Sequence, residues 1–277
     1  RVVSDRPVTL TEFNPFDYDV GGTFSFTNDA SLLLPAHTFT GNYIGSSFPS
    51  LSVTQVVDDI FTGMQEIQTA SPSYIAIIGV TPEPTTVTVV ANSNIAGASD
   101  GRFPAVSRGG VLNFTIQRGE VVVVAAAVPP RCASGRPGYR VDPASPTSNE
   151  LRYCNETEFD LTGSRVTANN PIAVYGGHDC AFVPYDRFAC DHLENQLPPL
   201  ETWGRNFVSG PMGDPGPSNR NVVRVTAAFD GTMVTVDPPQ GGTSNLMLSH
   251  GPSAVFYSCR PLPVIVTQYL MVMPFLV

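Results

Sequence analysis

The order of landmarks in the first half of this chain recurs in the second, and that recurrence narrows the possible folds more than any single motif does. RVVSDRPVTL at 1–10 matches RVTANNPIAV at 165–174, and Leu34-Pro35 followed by Gly41 matches Leu197-Pro198 followed by Gly204. Thr85-Thr86-Val87-Thr88-Val89 then matches Thr232-Met233-Val234-Thr235-Val236. Phe114, Ile116 and Gly119 match Leu246, Leu248 and Gly251, after which Pro263-Val264-Ile265-Val266 opens a third cycle. The second cycle, Pro171 to Pro263, has the length of an immunoglobulin-sized sandwich. The first is longer by insertions near 50–70 and 131–158. Trp203, the single tryptophan, stands where the first cycle has Thr40 and is expected to be buried beneath a loop closed by Cys180 and Cys190.

Each cycle reads as about seven short strands. Apolar residues alternate with polar or small ones in TTVTVV at 85–90, VLNFTI at 111–116 and VVRVTA at 222–227, the period of a strand with one buried face. Val121 to Val128 is a continuous apolar run, as expected of a strand buried on both faces. Asp230-Gly231 is a hairpin signal, and Pro82-Glu83-Pro84 turns the equivalent corner. One segment departs from this pattern. Val53, Val56, Val57, Ile60, Phe61, Met64 and Ile67 recur at helical spacing, with Ser52 and Gln55 as a capping box, which predicts an amphipathic helix at about 53–68. The expected fold is all-β: tandem or fused β-sandwich modules from an internal duplication, with one short inserted helix, a propeller-like closure being the alternative. A first β-rich module with insertions spans 1–160 and a second sandwich 161–277.

With 24 Gly and 26 Pro among 277 residues, turns are plentiful and long helices are disfavoured. The 15 basic residues are all arginine, a bias that suits a GC-rich bacterial genome. A net charge of -9 argues against nucleic acid and anionic membrane as partners. The C-terminal apolar run is interrupted by Arg260, Pro261 and Pro263, short of the roughly 18 residues that span a bilayer, so no membrane insertion is expected. The chain starts with Arg1 and has strand-like text at both ends, which reads as a mature piece of a longer secreted protein. The strand text at 264–273 has almost no charge to blunt an exposed edge, so it is expected either to close the second sandwich or to join another chain.

Five cysteines in such a composition suggest disulfides. Cys180 and Cys190 bracket a nine-residue loop, and Cys132 and Cys154 bracket a Gly/Pro/Ser-rich excursion; both pairs are expected to be bonded. Cys259 is left over, read as a buried thiol in a strand, with a bond to a cysteine outside this sequence as the alternative. His178, Asp179, Asp191, His192 and Glu194 crowd around the Cys180–Cys190 loop. Two imidazoles with a carboxylate make His178, Asp191 and His192 a candidate metal set, against the alternative that these side chains cap loop backbone groups. Asp17, Asp19 and Gly22 look like the start of a calcium loop, but Gly21 and Asn28 stand where further ligands belong. GxSxG, HExxH and GxxxxGK are absent, and His37, His178, His192 and His250 have no Ser or Cys partner by spacing. No catalytic residue and no cofactor are assigned. Asn113-Phe114-Thr115 and Asn155-Glu156-Thr157 are glycosylation sequons.

The stretch GGHDCAFVPYDRFACDHLENQLPPLETWGRNFV at 176–208, together with RVVSDRPVTLTEFNP, GSRVTANNPIAVYGGH and PLPVIVTQYLM, resembles the IgGFc-binding-protein N-terminal domain family. The resemblance implies an extracellular or cell-surface setting. With the disulfides and the β-sandwich reading, it implies a non-enzymatic module for adhesion or surface assembly, its partner a protein or glycan surface ligand or copies of itself. An immunoglobulin- or glycoprotein-binding module is the alternative carried by the family name. A metal-dependent hydrolase built on His178, Asp191 and His192 is the other.

Overall fold

The computed structural model describes residues 2–15, 19–20, 23–24, 28–142, 150–183, 190–209, 221–240, 243–249, 253–258 and 262–275. The first ten strands are β1 (Leu10–Pro15), β2 (Asp19–Val20), β3 (Thr23–Phe24), β4 (Asn28–Leu33), β5 (Asn42–Ile44), β6 (Ser50–Asp59), β7 (Gly63–Ser71), β8 (Ser73–Gly79), β9 (Thr85–Val90) and β10 (Val111–Ile116). Then come β11 (Val121–Ala125), β12 (Arg140–Asp142), β13 (Glu150–Glu156), β14 (Arg165–Ala168), β15 (Ile172–Phe182), β16 (Cys190–Gln196) and β17 (Gly204–Ser209). The last five are β18 (Asn221–Ala227), β19 (Thr232–Gln240), β20 (Thr243–Leu248), β21 (Ser253–Ser258) and β22 (Leu262–Phe275). Only short 3-10 turns interrupt them among the described residues.

The chain is all-β and sandwich-like, and the two halves share a pairing order. In the first, sheet β10-β9-β14-β5 packs on sheet β11-β8-β15-β16. In the second, β20-β19-β22 continues to β17, and β18 links β22 to β21. The 14-residue β22 takes the places of both β14 and β15: its start pairs with β17 and β19, its end with β18. Val166 faces Val89 as Val264 faces Val236, and Ile172 faces Gly79 as Leu270 faces Ala227. Pro263 therefore occupies the place of Arg165, not that of Pro171. The sheets also do not divide at residue 160, since β14 and β15 hydrogen-bond into the strands of the preceding half. At the N terminus, residues 2–9 form no strand and are exposed, so their likeness to 165–173 is one of sequence alone.

Alternation does what it predicts in β9 and β10, where inward residues Val87, Val89, Leu112, Phe114 and Ile116 are buried between exposed or half-buried neighbours. The Val121–Val128 run is different. Strand β11 lies at a sheet edge and leaves Val121 and Val123 each 53% exposed, so it has one buried face. The main core gathers Tyr43, Ile75, Ile77, Val87, Ile116, Val166, Ile172, Leu197 and Trp203. Close packing at its edge demands glycine: a Cβ on Gly176 would stand 1.6 Å from the Ser46 carbonyl oxygen, and one on Gly177 2.3 Å from the Tyr74 ring.

The expected helix at 53–68 is a β-hairpin. Strand β6 pairs with β7 through nine residue pairs from Leu51↔Ser71 to Asp59↔Gly63. Val53, Val56 and Val57 are β-branched and suit a strand. Gly63, at φ 76°, supplies the left-handed turn residue that closes the hairpin. The supposed core stripe is largely outside: Ile60 and Phe61 are each 88% exposed, Met64 62%. The two insertions seen in the sequence meet here, because β13 pairs with β6 and β12 with β13, giving an accessory sheet β12-β13-β6-β7. The Cys132–Cys154 disulfide, with Cα atoms 5.5 Å apart, ties the 131–158 excursion to this sheet. Leu51, Leu151 and Tyr153 pack it on Phe182 of β15, the two rings edge-on at 5.1 Å.

Between the two halves lies a charged seam. Arg224, in the middle of β18, reaches into the first half, donates to Asp160 Oδ2 and to the Ser47 carbonyl, and lies 5.8 Å from the Phe48 ring centroid. Asp160 Oδ1 accepts the Thr162 N–H at 2.9 Å, and Thr162 Oγ1 donates to the Ser47 carbonyl at 3.1 Å. Phe48 belongs to an apolar cluster with Ala181, Val183, Leu193 and Val222, drawn from both halves.

Candidate functional site

The titratable residues around the end of β15 and the start of β16 divide between the two faces of that strand pair. His178 stands opposite Leu193 in the register and shares its core-facing side; His192, one residue earlier on β16, projects to the other. His178 is fully buried, and its Nδ1 accepts the Cys180 N–H at 3.1 Å. Burial lowers it to about 4, against the opposing pull of the Asp160 carboxylate, so the imidazole is neutral near pH 7.

His192 faces the N-terminal hairpin β1–β4. Its Nε2 lies 3.1 Å from Asn14 Nδ2 and 3.7 Å from Glu194 Oε2, and Asn14 donates to Glu194 at 3.0 Å. The carboxylate beside it raises His192 above its ordinary value, and His192 holds Glu194 below the usual carboxylate range. The outer edge of β16 is covered by side chains of β4: the Glu194 N–H donates to Asp29 at 2.6 Å and the Gln196 N–H to Ser31 at 2.8 Å. Gln196 returns an acceptor to the Leu34 N–H. These polar groups therefore fasten a hairpin to a strand edge.

The set His178, Asp191 and His192 is not gathered on one face, because His192 projects away from the side that His178 and Asp191 share. Among the described residues, no three His, Cys, Asp or Glu side chains are grouped to hold a metal ion. Cys180 is disulfide-bonded and sits where the β15–β16 register shifts between His178 and Ala181. The Cys190 side chain, Cys259, His250 and most of the Asp17–Gly22 loop lie outside the described residues. His37 is exposed in a 3-10 turn. Asn113 is exposed on β10, where its Oδ1 accepts from Thr88 at 2.7 Å. The Asn155 N–H donates to the Pro137 carbonyl at 3.1 Å.

Trp203 is buried, in the main core, with its indole N–H donating to the Pro198 carbonyl at 3.1 Å. Its counterpart in the first half is Phe39 and not Thr40. Both residues end a Pro-initiated 3-10 turn, Ala36–Thr38 or Leu200–Thr202, and both donate their N–H to the turn's first carbonyl. The loop expected above the indole lies largely outside the described residues.

The accessory sheet is the part built to project. Glu66 on β7 is gripped by Arg131, the neighbour of the disulfide, and by Arg152 of β13, the latter at 2.8 Å. Arg136 makes a two-pronged contact of 3.1 and 2.6 Å with Glu156, whose carboxylate is buried. This bracing holds the hairpin out with Ile60, Phe61, Met64 and Ile67 in solvent. Sequence reasoning missed both these ion pairs and Arg224–Asp160. The one available signal was an arginine in the core-facing text VVRVTA.

A 53-residue stretch, 19% of this chain, is 42% identical to the human IgGFc-binding protein and covers 1% of that protein's length. No solved structure matches the chain. The sequence pattern of the family described as IgGFc binding protein matches residues 29–276, from the start of β4 to the end of β22. That match takes in both halves and the accessory sheet, and the chain belongs to this family.

Proposed function

We propose that the chain is a non-enzymatic extracellular or cell-surface module that holds a protein or glycoprotein partner, for adhesion or surface assembly. The observation that carries this reading is the accessory sheet: two insertions folded into one disulfide-tied, arginine-braced unit with an apolar hairpin in solvent. A patch of that kind is costly to display without a partner. The disulfide supports an oxidising compartment. The family description, with the human relative's name, supports a binding role and makes immunoglobulin or another glycoprotein the first ligand class to try. Two finer assignments belong to the same reading. Cys190 is the partner of Cys180, closing the turn between β15 and β16. The modules are a duplicated pair, the first running from the β4 region to β16 and the second from the Leu200–Thr202 turn to β22. The arginine-only basic composition supports a bacterial-type member of the family.

The test is a binding screen of the intact chain against immobilised immunoglobulin Fc, mucin-type glycoprotein and a glycan array. Saturable binding to at least one of them is expected. Absence of binding throughout, with turnover of ester or peptide substrates that a chelator abolishes, would replace this reading with the hydrolase.

A further inference from the structure

The edge that the sequence suggests at the C terminus is taken up in part within the chain: β17 and β19 flank the first residues of β22, while 271–275 pair with β18 alone among the described residues. A longer edge is left open elsewhere. Strand β7 closes one side of the accessory sheet and, among the described residues, pairs with β6 alone. At nine residues it is the longest edge strand of any described sheet, and its register with β6 shows no shift. Residues 63–69 are all exposed. Edges are ordinarily blunted by proline, lysine, bulges or shortness. GMQEIQTAS has neither proline nor lysine, and its one charge, Glu66, is already held by Arg131 and Arg152.

A row of free main-chain donors and acceptors of that length is satisfied by another extended strand. The sequence of β7 says which one, because it complements itself. Laid antiparallel about a two-fold axis at Ile67, Met64 meets the partner's Ala70, Gln65 meets the partner's Thr69, and Glu66 meets the partner's Gln68. Large faces small, polar faces polar, Ile67 meets its own copy, and Glu66 never faces its own copy. Thr62, beside the hairpin tip, then meets the partner's Pro72. We propose that β7 pairs antiparallel with β7 of a second copy of this chain, joining two four-stranded accessory sheets into one of eight strands. This rests on the reading of the accessory sheet as the binding surface and names its partner as the chain itself. A contact one strand wide is smaller than the roughly 800 Å² per partner of a stable complex, so the dimer is a concentration-dependent one.

Light scattering of the intact chain over a roughly hundredfold concentration range tests this. The wild-type mass is expected to rise from monomer toward dimer. Ile67→Arg, which sets two like charges on the axis, is expected to stay monomeric throughout with an unchanged melting curve. Val141→Arg, on the opposite edge strand β12, is expected to dimerise like wild type. As a check independent of folding effects, Ile67→Cys is expected to form a covalent dimer under mild oxidation, and Val141→Cys not to. A wild-type chain that stays monomeric, or a dimer that survives Ile67→Arg, overturns the proposal. Running the ligand screen on wild type at the dilute end of the range, where the chain is monomeric, keeps the two questions apart, since ligand binding there preserves the functional reading whatever happens to the dimer.

Discussion

Arg224→Met is the substitution whose effect follows most directly from the seam between the sandwiches. The guanidinium is 6% exposed and its partner carboxylate 9%, so neither is rehydrated when the other is removed. Without Arg224, Asp160 keeps the Thr162 N–H donor, and Ser47 loses one of two donors to its carbonyl. Leaving a buried charge unpaired costs about 3–5 kcal/mol, whereas replacing both members with apolar groups is close to neutral. Arg224→Met is therefore expected to lower the stability of the chain by about 3–5 kcal/mol, and Arg224→Met with Asp160→Ala to recover at least about 2 kcal/mol of it. Urea unfolding followed by Trp203 fluorescence reads the first sandwich, whose core holds the indole, and far-UV circular dichroism reads the strands of both. A loss below about 1 kcal/mol, or a double variant that falls by the sum of the single changes, would refute the coupling across the seam.

Trp203→Ala should cost roughly 3–5 kcal/mol by opening a cavity in the main core, with Trp203→Phe costing less; native fluorescence typical of a water-exposed indole would contradict its placement. Because His178 is held at about 4 against an ordinary 6.5, the unfolded chain takes up its proton first, and stability should fall by about 3 kcal/mol as pH drops from 6.5 to 4. His178→Asn, whose amide oxygen can stand in for Nδ1, should flatten that part of a pH–stability curve; an unchanged slope would show that the imidazole is not buried neutral. Replacing Cys132 and Cys154 by serine removes a link of sequence separation 22, worth about 3 kcal/mol. Amide exchange should quicken in β6, β7, β12 and β13 before the main core, and uniform quickening would argue that the accessory sheet is not a separate unit.

Much of the fold was legible because it is written locally. Period-two text in β9 and β10 gave strands with the right buried face, and Asp230-Gly231 marks a real turn, with Gly231 at φ 70°. The misread segment shows the limit of periodicity. Val53, Val56, Val57, Ile60 and Ile67 fall at helical spacing because a hairpin folds two strand patterns back through a turn, and Gly63 was the residue that should have broken the helix. The Val121–Val128 run looked doubly buried because the chain puts valine even on the outer face of an edge strand. Two features had no local signature at all. Arg224 and Asp160 lie 64 residues apart, and β13 is separated from β6 by four strands of other sheets. The candidate metal set failed for a reason sequence spacing hides, since a strand pair sends His178 and His192 to opposite faces.

Binding through the accessory sheet is tested most directly by one comparison. Interferometry would measure whichever partner the screen identifies against wild type and against Ile60→Ser/Phe61→Ser/Met64→Ser, three side chains 62–88% exposed and outside every buried cluster. The account predicts at least about a tenfold loss of affinity, about 1.4 kcal/mol, with an unchanged melting temperature. Undiminished binding by the triple variant would contradict it and move the working surface elsewhere on the two sandwiches.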